Sequence, residues 1–129
     1  MIYCIAYPPR KPRRFYDEAA KEYEKRLSRF CKVQRIDSIS RSSERDLLIS
    51  FSPDGRWISS EDMARRFISL ETGGVINRII FILNQKMPAP SSEAWALTTV
   101  SLPDDLTLVL LLEQIYRARK IMCNEPYHK

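Results

Sequence analysis

Short β-favouring runs take turns along this chain with stretches of helical period. Ile2, Tyr3, Cys4, Ile5 and Ala6 form an apolar run too short for a helix, and it reads as a buried strand. Over residues 14–29, Phe15, Ala19, Tyr23 and Leu27 recur every fourth residue, which predicts an amphipathic helix with Glu22, Lys25 and Arg26 outside. Val33, Ile36 and Ile39 predict a second strand that gives way to the polar segment 38–45. Residues 47–51 form a third, stopped by the turn signal Ser52-Pro53-Asp54-Gly55. Ser59 or Ser60 then caps a helix whose first turn carries Glu61 and Asp62, and Gly73-Gly74 ends it. Residues 78–83 are the plainest buried strand, and 84–90 are irregular by composition. Residues 95–102 predict a fifth strand, and Pro103-Asp104-Asp105 opens the last helix.

Strands alternating with helices predict an α/β fold of three layers on a largely parallel sheet. A chain of 129 residues supports one core better than two, and no repeat or linker divides it, so a single domain is expected over residues 1–129. No apolar run approaches the length needed to span a bilayer, and Met1 to Tyr7, followed by Pro8 and Pro9, lacks the cationic start of a secretory leader. Cys4, Cys31 and Cys123 are odd in number and lack metal-site spacing. Reduced, mostly buried thiols, no metal and a cytoplasmic location follow as expectations.

Charge adds a possible partner. The formal net charge of +5 favours an anionic one. Arg10, Lys11, Arg13 and Arg14 fall among Pro8, Pro9 and Pro12, which makes an extended basic loop rather than a helical face. Such a loop suits RNA phosphates, and it equally suits a solvated connector.

The end of the chain concentrates the most chemistry. Leu106, Val109, Leu110, Leu111, Leu112, Ile115 and Ala118 give the last helix a broad apolar face, which Tyr116 and Arg117 border in the plainest reading. Pro126-Tyr127-His128 then adds a rigid turn, an aromatic ring and the chain's only imidazole. Neither a P-loop nor a G-x-G-x-x-G follows any strand, which argues against the commonest nucleotide-binding motifs.

The run Glu113-Gln114-Ile115-Tyr116-Arg117-Ala118, closing on Tyr127-His128-Lys129, resembles the terminal signature of the small knotted methyltransferases that modify a pseudouridine of large-subunit ribosomal RNA, within the SPOUT superfamily. Residues 1–6, the helix around Tyr23-Glu24-Lys25-Arg26-Leu27, the segment 55–64 with Ser59-Ser60-Glu61, and Leu102-Pro103 follow in that family's order. The resemblance implies a SPOUT-like C-terminal trefoil knot that holds S-adenosylmethionine. It also implies a homodimer in which each site borrows groups from its neighbour, with ribosomal RNA or the large ribosomal subunit as partner. On that basis Phe51, Leu83, Asn84, Gln85, Leu102, Pro103 and Leu106 are expected around the cofactor. Arg117 would orient RNA, Tyr127 would stack on a base and His128 would help to move a proton.

The departures from the family bear on activity. Where the family's strand runs into I-G-G-x-x-G, this chain has Asn84 and Gln85 at the paired glycines and Pro88 near the third. The segment 89–94 is too short for the helix the family carries there, and the stretch between Ile36 and Leu47 is abbreviated. After Leu102-Pro103, Asp104 and Leu108 stand in place of a histidine and an arginine. Two functions follow: methylation of a ribosomal pseudouridine with weakened cofactor affinity, or a catalytically inactive homodimer that binds RNA or the ribosome after losing the cofactor loop.

Overall fold

The computed structural model describes residues 1–7, 11–37, 43–83 and 93–124. Its elements run β1 (Ile2–Ala6), α1 (Arg14–Leu27), β2 (Lys32–Ile36), β3 (Asp46–Trp57), α2 (Ser60–Gly73), β4 (Arg78–Ile82), β5 (Glu93–Ala96) and α3 (Asp104–Met122). The five strands form one sheet in the order β2-β1-β4-β3-β5, and every neighbouring pair is parallel.

Register sorts the apolar runs onto two faces. Ile79 on β4 pairs with Tyr3 and Leu47, and Phe81 pairs with Ile5 and Ile49, so these side chains line one face. There they share a core with Ala20 and Leu27 of α1, Met63, Phe67 and Leu70 of α2, and Leu108, Leu111, Leu112, Ile115 and Ala118 of α3. Helix α3 packs against both α1 and α2. The alternate residues Cys4, Ala6, Leu48, Ile80 and Ile82 form a second cluster on the opposite face, which is also closed: Cys4 and Ile80 are fully buried. Burial on both faces explains why β1 and β4 read as continuous apolar runs, but α1, α2 and α3 all contribute to the first face, so among the described residues no helix forms the third layer that the sequence pattern predicts. The predicted α/β class and parallel sheet hold.

Local chemistry sets the helix ends. The Ser59 hydroxyl accepts from the Asp62 backbone N–H while the Asp62 carboxylate accepts from that of Ser59, a reciprocal capping box that starts α2. Gly74 ends α2 at φ 70°, where a side chain is strained. Helix α3 starts behind Pro103 with Asp104 and Asp105 in its first turn and carries Arg119 and Lys120 in its last, all placed to suit the helix dipole.

Four expectations need correction. The turn signal does not end β3: the strand continues to Trp57, and residues 52–55 bulge out so that Phe51 and Arg56 both stand opposite Trp95. β5 stops at Ala96 instead of reaching Leu102, because the chain bends over residues 97–100. On α1, the predicted apolar row holds at Tyr23 and Leu27, which pack on the core, and fails at its start: Phe15 is 67% exposed, while Asp17 and Ala20 are buried. Of the thiols, Cys4 is buried, Cys31 half-buried and Cys123 exposed. Among the described residues no group of carboxylates, histidines and thiols is arranged to hold a metal. Among the same residues, no helix is long and apolar enough to cross a membrane.

Candidate functional site

The bulge in β3 and the early end of β5 together open a cleft at the C-terminal edge of the sheet, where parallel α/β folds place their ligands. The cleft holds about 260 Å³ and is walled by Phe51 to Pro53, Leu83, Leu97, Thr98, Val100 to Leu102, and Asp104, Thr107 and Leu110 of α3. Apolar and polar surface share the wall about equally. Its polar lining residues are Ser52, Thr98, Ser101, Asp104 and Thr107, of which the Thr98 and Thr107 hydroxyls donate to the Val100 and Pro103 carbonyls.

An aromatic cluster fixes the wall. The Phe51 ring stacks on Phe81 at 6.0 Å and meets Trp95 edge-on at 6.4 Å, and Phe81 also touches Phe67 and Tyr3 in the core. The Trp95 indole donates to Glu93 Oε1 at 3.0 Å. Glu93 is held in turn by Arg66 of α2, so β5 is tied to the helix layer as well as to β3.

A second groove, of about 650 Å³, adjoins the first through the shared residues Leu102 and Asp104. Tyr7, Lys11, Arg13, Pro103 and Asp105 complete its lining. One ion pair organises it. Arg13 Nε donates to Asp105 Oδ2 at 2.8 Å, Arg13 Nη2 donates to Asp105 Oδ1 at 3.1 Å, and the Arg13 backbone N–H adds a third bond at 3.2 Å. This fork pins the basic segment to the first turn of α3. The Arg13 guanidinium beside it, aided by backbone donors, holds the Asp105 carboxyl down at about 2 against the opposing cost of burial.

A carboxyl whose folded-state pKa is depressed stabilises the fold above its ordinary value near 4 and loses that contribution as pH falls toward the depressed value. Asp105→Asn should therefore lower stability at neutral pH. The gap from the natural chain should close between about pH 4 and pH 2. With the Arg13 side chain 58% exposed, the gap is about 1 kcal/mol. Urea denaturation across that range measures it; a gap that is constant with pH would show that the carboxylate charge is not what matters.

The predicted site residues divide into three groups. Phe51, Leu83 and Leu102 come together in the first cleft, and Pro103 lies in the adjoining groove. Leu106 is half-buried in the first turn of α3 and lines neither. Arg117 lies about two turns beyond Leu110, the last cleft residue on α3, and is ion-paired with Glu113 at 2.8 Å. Of the basic loop, Lys11 is exposed in the groove, Arg13 is committed to Asp105, and Arg14 is exposed and paired with Glu18. Arg10, Asn84, Gln85, Tyr127 and His128 lie outside the described residues. Sequence reading did not assign Ser52, Pro53, Thr98, Ser101, Thr107 or Leu110 to the cleft. Only the Ser-Pro-Asp-Gly punctuation hinted at irregular backbone there.

A parallel sheet with a mixed apolar and polar cleft at its C-terminal edge, closed by the first turns of the last helix, defines an α/β protein with a cleft where folds of this class place ligands. Residues 1–128 match the family described as "Predicted SPOUT methyltransferase", and the chain belongs to that family. It is 33% identical to ribosomal RNA large subunit methyltransferase H 1 of Thermoanaerobacter sp. (strain X514), with both chains covered in full. It is 30% identical to ribosomal RNA large subunit methyltransferase H of Deinococcus deserti, covering 84% of this chain and 86% of that one. A third relative of the same name, from Acetivibrio thermocellus, is 27% identical over 90% of this chain and 92% of its own.

Proposed function

We propose that this chain is a single SPOUT-like domain that transfers a methyl group from S-adenosylmethionine to a ring nitrogen of a pseudouridine in large-subunit ribosomal RNA. The convergence of Phe51, Leu83 and Leu102 on one cleft carries the reading, because the resemblance implied those positions before their neighbourhood was known. The cleft suits the cofactor in kind: an aromatic and aliphatic wall for adenine, hydroxyls within the same wall for ribose, and the Asp104 carboxylate for a cationic group. Its volume of about 260 Å³ falls just below the usual range of roughly 300–1,000 Å³ for small-molecule sites.

When bound, the cofactor supplies a methyl group on a cationic sulfur. The protein supplies position. Phe51 packs against its neighbouring rings, and the Arg13–Asp105 ion pair ties the first turn of α3, so both walls of the cleft have side-chain support. RNA reaches that edge along the groove containing Lys11. Tyr127 stacks the target region and His128 assists proton removal from the ring nitrogen. Arg117, two turns away on its own α3, serves the site across a homodimer formed through the last helix, consistent with the half-buried Leu106 and the exposed Ile121 on that helix. The knot and a cytoplasmic setting belong to the same reading.

Asn84 and Gln85, directly after the cleft residue Leu83, favour a second reading in which the dimer binds RNA without transferring methyl groups. Incubating the protein with large ribosomal subunits and methyl-labelled S-adenosylmethionine separates the two. Label in a pseudouridine is expected. Sedimentation should give twice the chain mass. Absence of label at millimolar cofactor, with RNA binding intact, selects the second reading.

A further inference from the structure

Phe15 is 67% exposed in the first turn of α1, two residues after Arg13 and beside the exposed Arg14. Solitary exposed apolar side chains need no explanation, but this one is built into a platform. Its ring meets Tyr16 edge-on at 5.2 Å, Tyr16 lies under the Arg13 guanidinium at 4.8 Å, and Arg13 is locked to Asp105. The ring's support is thus anchored to α3 and to the groove that runs into the cofactor cleft.

Lys11 and Arg14, both exposed, are its close neighbours in sequence, and Arg14 pairs with Glu18 at the surface, a contact that a phosphate can displace. An aromatic face flanked by cations is the chemistry that single-stranded RNA recognises, with bases on the ring and phosphates on the charges.

The geometry points to Phe15 as a stacking platform for an unpaired RNA base, whose flanking phosphates lie along Lys11 and Arg14. This rests on the RNA-methylation reading and adds a substrate-positioning residue to it. A second copy of this chain seated on Phe15 is the competing occupant, but the exposed basic residues beside it in the sequence favour a polyanion.

The test uses a single-stranded RNA of about 12 nucleotides carrying one 2-aminopurine, titrated with the natural chain and with Phe15→Ala, Phe15→Leu and Phe15→Trp. Removing one stack should weaken binding about tenfold in the alanine and leucine variants and abolish the fluorescence quenching, while tryptophan preserves both. Leucine is the decisive variant, since it keeps the apolar surface and loses the π-face. If Phe15→Leu binds and quenches like the natural chain, the proposal fails while the methylation reading stands. A changed sedimentation mass in that variant would overturn it in favour of a subunit contact. If the natural chain does not bind the oligonucleotide, the proposal also fails, and methyl transfer to ribosomal subunits shows separately whether the wider reading survives.

Discussion

Gly55→Ala should cost about 3 kcal/mol of stability, the upper range for forcing one extra carbon into packed structure. A Cβ at residue 55 would sit 2.7 Å from the Trp95 carbonyl carbon, 2.8 Å from its oxygen and 2.9 Å from the Ala94 carbonyl carbon. All three are backbone atoms, so no side-chain rotation relieves the clash, and β5 must move away from β3. Trp95, only 1% exposed, would lose its fit against Phe81, and the bends that wall the cleft beyond Ala96 would follow. Gly73 is the control. A Cβ there meets nothing within 4 Å, and the residue ends α2, so Gly73→Ala should be neutral or stabilising by up to about 1 kcal/mol. Urea denaturation of the two variants beside the natural chain gives the comparison. Equal midpoints for all three would mean that β3 and β5 are not in close contact at residue 55.

The same residue shows where sequence reading reaches its limit. Ser52-Pro53-Asp54-Gly55 announces irregular backbone, and the structure contains an irregularity there. A turn and a bulge use the same residue types, however, and only the partner strand decides between them. β1, β4 and the ends of α2 were legible because buried runs and caps are local signals. The α1 face departs from the predicted row only at its start, because a four-residue spacing drifts around a helix of about 3.6 residues per turn. Phe15 was assigned inward on hydrophobicity, whereas Asp17 turned inward because Arg35 of β2 donates to it at 3.0 Å. Partnerships of that kind escape a single sequence: Arg13 meets Asp105 across 92 residues, and Arg119 meets Tyr3 across 116. The cleft was legible in part through resemblance, which supplied Phe51, Leu83 and Leu102. The hydroxyl residues came into view only with the bulge and the shortened β5.

Restoring glycine at the two positions after Leu83 should tighten S-adenosylmethionine binding by about a hundredfold. Leu83 is 2% exposed, donates its backbone N–H to the Ala6 carbonyl at 3.0 Å and lines the cleft, so the two positions that follow it in sequence adjoin a cleft residue. The family places paired glycines at this exit, where the absence of Cβ atoms lets the backbone close on a ligand. Asn84 and Gln85 bring two side chains to those positions. Keeping the ligand from one or two backbone contacts costs about 3 kcal/mol, which corresponds to the hundredfold factor. The natural chain is accordingly expected to bind the cofactor only near millimolar concentration, and the Asn84→Gly, Gln85→Gly double variant in the ten-micromolar range. Calorimetry on both proteins reads the difference directly. Micromolar binding by the natural chain, unchanged in the double variant, would show that amide side chains at this exit are compatible with a full cofactor site. It would also remove the ground for the non-catalytic reading.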